Sequence, residues 1–378
     1  MAAPHWSVAG AGGSADATMM AVGACAPNED ARIEGLRALA AWMVVGMHYL
    51  PQALGPSVQN LLVLQTGVNL FFVLSGFVFG RYVWGAPLDL KGYALRRCMR
   101  IVPLYFVAVA LYAWAAPTGE ISGGLVLKHL LFLHTWENHA TATALNPAFW
   151  SLPPEVEFYL FIPLIARLKG PVRVLFVMAF IGRWLIGEAL PSEGVNAALR
   201  LWVHLPGIAV EFLAGAMAWQ WTQTPRSGRL RWAMGLVALA LWGWLAFAMG
   251  SAGGEGALHA MTWARGKTGM WAAMIYAVAL AACMAGPARV NPRWRAAMLG
   301  AGSLSYGVYL LHNLWPAHVL PHFPEHTVVG LAVCVALTLL SAWVAHWGIE
   351  RPARAWGRAK AQQWADRSAQ GSKSRHED

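Results

Sequence analysis

Stretches of about 20 mostly apolar residues recur along this chain, and each is bounded by a short basic cluster or by a nearly uncharged gap. A run of that length matches the hydrocarbon thickness of a bilayer when it is helical, and in lipid a helix satisfies its own backbone hydrogen bonds. The pattern therefore predicts an all-α, polytopic membrane helical bundle. Composition agrees, with 57% apolar and only 12% charged residues among 378, and 21 tryptophans. The formal charge of +10 is spread over the clusters between apolar runs, which is the signature of membrane topology, and a nucleic-acid partner is not expected.

The basic clusters lie at Lys91, Arg96, Arg97 and Arg100; at Arg167, Lys169 and Arg173; at Arg226, Arg229 and Arg231; at Arg289, Arg293 and Arg295; and from Arg351 onward. Gaps near 55–60, 117–150, 188–199, 251–266 and 318–326 carry almost no basic residues. With the basic clusters on the cytoplasmic side, ten helices alternate correctly and both termini are cytoplasmic: 36–54, 61–83, 100–116, 151–167, 172–188, 200–221, 231–250, 267–285, 297–316 and 327–347. The apolar stretch 123–135 is too short to span and reads as an outer loop or a re-entrant segment. Residues 1–31 read as a disordered cytoplasmic tail, 32–354 as the membrane domain and 355–378 as a basic cytoplasmic tail, amphipathic or disordered. No metal-ligand spacing occurs.

The first apolar run, "RIEGLRALAAWMVVGMHYL", carries Glu34, Arg37 and His48. Arg37 and His48 are eleven positions apart, which places them on one helix face and roughly 16 Å apart along the axis. Ionisable groups in a membrane are costly and are kept where they pair, face a polar cavity or do chemistry. In "FWSLPPEVEFYLFIPL", Pro153 and Pro154 suit a first helical turn, so Ser151 is expected to cap that helix. Glu155 would then stand one turn in, at a depth comparable with His48.

Six segments in order, "RIEGLRALAAWMVVGMH", "GVNLFFVLSGFVFG", "LRRCMRIVPLY", "NPAFWSLPPEVEFYLFIPL", "LGAGSLSYGVYLLH" and "IERPAR", resemble the acyltransferase-3 family of integral-membrane acyltransferases. The resemblance runs from about Arg32 to Arg354. It implies transfer of an acyl group, commonly acetyl, from cytoplasmic acyl-CoA to a hydroxyl, often on a cell-surface or lipid-linked sugar, by a protein of the bacterial inner membrane. It also implies that Arg37 and His48 are the family's arginine and catalytic histidine.

The residue chemistry fits that expectation. A neutral imidazole suits removal of the hydroxyl proton, so His48 is the candidate base, with direct transfer and a covalent acyl-imidazole both open. Glu155 is the second catalytic candidate, able to orient His48 or hold the acceptor. Arg37, Arg97 and Arg100 are candidate donor-binding groups, because guanidinium groups bind phosphate oxyanions without losing charge, and they also read as topology signals. Asn69, where the family often has an aspartate, joins Ser151, Tyr159, Ser305, Tyr309 and His312 as candidates lining a substrate cavity. Ser305, Tyr309 and His312 share one helix face, a pattern that also serves to bind helices together. Glu157 is expected to face the outer loop. A proton-coupled secondary transporter would use the same intramembrane His, Glu and Arg groups, although its usual repeated halves are not evident.

Overall fold

A computed structural model describes residues 30–117, 119, 121–168, 172–189, 203–205, 207–251, 267–287 and 290–374. The described residues are helical and turn structure throughout, with no strand among them. The expected tail 1–29 and the gaps 190–199 and 252–266 lie outside the described residues.

The long helices in chain order are α1 Ala31–Leu54, α2 Gly67–Val78, α3 Leu90–Ala115, α4 Gly123–Leu130, α5 Leu152–Leu168 and α6 Val172–Ala189. They continue with α7 Ala209–Thr222, α8 Gly228–Ser251, α9 Lys267–Met284, α10 Pro292–Leu311, α11 Thr327–Ala345 and α12 Arg351–Ser374. Local chemistry fixes their starts. Asp89 caps α3 by accepting from the Gly92 amide, Ser122 caps α4, and Asn291 caps α10 with Pro292 at the first helical position.

Each of the ten expected segments overlaps a helix, but 61–83 is divided between a 3-10 stretch and α2, and in 200–221 the described helix begins only at Ala209. Four described helical stretches are long and apolar enough to cross a membrane: Leu61–Val78, Leu90–Ala115, Gly228–Gly250 and Thr327–Ser368. The others are shorter or interrupted by charge, as in α1 with Arg32, Glu34 and Arg37. The eight-residue α4 rises only about 12 Å, too little to span, as its short apolar run requires. The segment after Pro352 is no loose tail, because α12 is helical and packs against α3.

Large apolar side chains cover the outer faces of the helices, among them Leu160, Leu164 and Leu168 on α5, Leu236, Leu239 and Phe247 on α8, and Leu340, Trp343 and Val344 on α11. Such continuous apolar surface is stable against lipid. Inside, α1 packs closely on α10 and α2 on α7. The α2–α7 contact depends on two glycines. A Cβ at Gly76 would lie 1.8 Å from the Phe212 carbonyl oxygen, and one at Gly215 would lie 2.0 Å from the Val73 carbonyl oxygen. These two crossings set the walls of the cavities described next.

Candidate active site

The bundle encloses two cavities that share Val68 and Tyr309 as a common wall. One, of about 310 Å³, contains His48, and the other, of about 90 Å³, contains Arg37 and Arg100. Arg37 and His48 both come from α1, so the helix spacing read from the sequence places one in each chamber.

His48 is half-buried on the turn before Pro51, which removes the helical hydrogen bond to the Met47 carbonyl. Its Nδ1 lies 2.8 Å from the Val44 carbonyl oxygen and 3.2 Å from His312 Nε2. A carbonyl only accepts, so in the neutral ring Nδ1 carries the proton and Nε2 keeps its lone pair. His312 follows the same logic. Its Nδ1 lies 2.9 Å from the Tyr309 carbonyl oxygen, which leaves Nε2 as the acceptor facing His48. His312 is fully buried, and Tyr49 holds its backbone by donating to the His312 carbonyl at 2.6 Å.

Glu155 is not beside His48. It lines the smaller chamber with Arg37, Arg100 and Tyr159, and accepts a hydrogen bond from Ser75 Oγ at 2.5 Å. The two groups line different cavities, and the polar partner of His48 is His312. Ser151 likewise does not cap α5. It ends the 3-10 segment Pro147–Ser151 and donates to Tyr309 Oη at 2.6 Å, with the Ala148 carbonyl oxygen 3.2 Å from its Oγ. Tyr309 also donates to the Ala148 carbonyl at 2.7 Å, which pins its ring in the wall between the chambers.

The guanidinium groups divide their tasks. Arg37 is paired with Glu34, its neighbour one turn earlier, and interacts electrostatically with Arg97 and Arg100. Arg97 lines neither chamber and lies over the Phe79 ring, 5.0 Å from its centroid. The stripe of Ser305, Tyr309 and His312 divides too. Ser305 lines the arginine chamber and donates to the Gly302 carbonyl, Tyr309 borders both chambers, and His312 supports His48 from behind.

Asn69 lines the histidine chamber, where its Nδ2 donates to Glu211 Oε2 at 2.8 Å. Glu211 and its ion-pair partner Arg183, 3.8 Å away, are both buried in that wall. Neither was singled out in the sequence, where each is a lone charge in a long apolar run. Glu157 pairs with His204 and accepts from the Leu205 amide at 3.0 Å. No group of three or more metal-ligating side chains occurs among the described residues.

The chain is similar to nodulation protein 10 of Rhizobium leguminosarum bv. viciae, with 24% identity over 78% of each chain. It is also similar to acyltransferase MdmB of Streptomyces mycarofaciens, with 34% identity over 38% of this chain, a match that spans 41% of that relative. No solved structure matches the chain. The family described as an acyltransferase domain matches residues 30–347, which include both chambers. The chain therefore belongs to the acyltransferase-3 family and is an integral membrane enzyme that transfers acyl groups.

Proposed function

We propose that the protein is an O-acyltransferase of the bacterial inner membrane that moves an acyl group, in the simplest case acetyl, from cytoplasmic acyl-CoA to a hydroxyl of a cell-surface or exported glycan or its lipid-linked precursor. The observation that carries this reading is the pair of chambers meeting at Tyr309 and Val68, one lined by guanidinium groups and the other by an imidazole with an available Nε2. In this reading ten helices cross the membrane, both termini are cytoplasmic, and the arginine chamber opens toward the cytoplasm. Its small volume of about 90 Å³ suits the slender thioester arm of the donor, with the phosphates left to Arg100 and the neighbouring Arg97.

His48 then acts as general base. Its Nε2 takes the proton of the acceptor hydroxyl as the oxygen attacks the thioester carbonyl, the carbon–sulfur bond breaks, and the imidazolium returns the proton to the leaving thiolate. The imidazolium is stabilised because Nδ1–H already points at the Val44 carbonyl and the His312 lone pair. Glu155 acts from the donor side, where it balances the charges of Arg37 and Arg100. No metal takes part in this scheme.

The test compares His48→Ala and His48→Gln in membranes supplied with labelled acetyl-CoA, with mass spectrometry of the cells' surface glycans in parallel. Glutamine keeps hydrogen-bonding capacity but takes up no proton at neutral pH. Both variants are expected to lose about 10²–10⁴-fold in transfer while expressing normally. Near-normal acylation by a folded His48→Gln protein removes His48 from the chemistry.

A further inference from the structure

The histidine chamber has a second polar wall that this chemistry does not use. Glu211 stands in the first turn of α7 and is 1% exposed. Its Oε2 accepts from Asn69, and Arg183 supplies the opposite charge, with Nη2 3.8 Å from Oε1 while Nη1 donates to the Gly207 carbonyl at 3.2 Å. Among the described residues none donates a hydrogen bond to Oε1. Glu211 itself lines the cavity that holds His48. Gly269 packs against this carboxylate so closely that a Cβ there would lie 3.0 Å from Oε1 and 2.8 Å from Asn69 Nδ2.

A buried carboxylate oxygen without a donor is unfavourable, and it is retained where a ligand supplies one. The geometry points to Glu211 as the acceptor-positioning group, whose Oε1 accepts a hydrogen bond from a non-reacting hydroxyl of the acceptor so that a neighbouring hydroxyl meets His48 Nε2. This rests on the O-acyltransferase reading above. Because Glu211 and Arg183 neutralise each other, the wall favours a neutral polyol. The cavity, near the lower end of the ~300–1,000 Å³ range of ligand sites, suits one sugar ring at a time.

Methyl β-glucopyranoside is the probe acceptor, with labelled acetyl-CoA as donor and membranes bearing the full chain. In the wild type, removing one non-reacting hydroxyl of the probe, tested with its monodeoxy analogues, is expected to raise KM at least tenfold. Glu211→Gln should raise the sugar KM about tenfold while the KM for acetyl-CoA is unchanged, and it should narrow the preference for the intact sugar. Gly269→Ala should raise the same KM by crowding Oε1 without removing any charge. A flat deoxy series, an unchanged sugar KM in both variants, equal loss toward donor and acceptor, or donor turnover with no sugar labelled would each overturn the assignment. Failure of the wild type to consume acetyl-CoA at all would refute the O-acyltransferase reading instead.

Discussion

The crossing of α2 and α7 gives a test of how the two chambers are held. In Gly76→Ala the new Cβ would stand 1.8 Å from the Phe212 carbonyl oxygen, and the backbone must retreat by about 1.6 Å to restore an ordinary 3.4 Å contact. The obstacle is main chain, so no rotamer change relieves it. Overpacking of this kind costs about 1–3 kcal/mol, and the better helix propensity of alanine returns about 1 kcal/mol, so a net loss of up to about 2 kcal/mol is expected. Function should suffer more than stability. Phe212 follows Glu211 directly, and a shift of that size exceeds what the 2.8 Å Asn69–Glu211 hydrogen bond tolerates. Thermal unfolding in detergent and acyl transfer would be measured beside Gly235→Ala on α8, where a Cβ meets nothing within 4 Å. The control is expected to match the wild type. A Gly76→Ala protein with wild-type stability and full activity would refute the argument that this contact shapes the site.

Arg100→Ala should raise the KM for acyl-CoA by roughly 10- to 100-fold, the value of about 1.5–3 kcal/mol for a lost charged hydrogen bond, whereas Arg97→Ala, which loses its place over the Phe79 ring, should raise it less; equal effects would show that chamber lining is irrelevant. His312→Leu should lower kcat with little change in either KM, because it removes the acceptor 3.2 Å from His48 Nδ1, and His312→Gln should recover part of the loss; identical kcat values for the two would remove His312 from the support of His48. In a chain freed of its native cysteines, Lys91→Cys and Gly228→Cys are expected to be shielded from an impermeant reagent in intact cells, while cysteines at 195 and 256, outside the described residues, are labelled. The reverse pattern would invert the proposed topology.

The sequence carried what is local and periodic. The helical segments follow from apolar run length, and the separation of Arg37 and His48 follows from helix rise. The Arg37–Glu34 pair is also a one-turn relation. What failed was vertical register between helices. Glu155 and His48 lie more than a hundred positions apart, and nothing in either helix states where one begins relative to the other. Pro153 and Pro154 announce a helix start, but no local signal states that Glu155, after a 3-10 turn held by Ser151 and Tyr309, shares a cavity with Arg37 and not with His48. The Asn69–Glu211–Arg183 wall was hidden for a related reason. It joins α2, α6 and α7, and each member alone looks like a solitary polar group in an apolar helix, equally suited to pairing or to chemistry. Only the shared cavity separates those two roles, because it shows that Glu211, besides neutralising Arg183, stands in the same wall-lined space as the base.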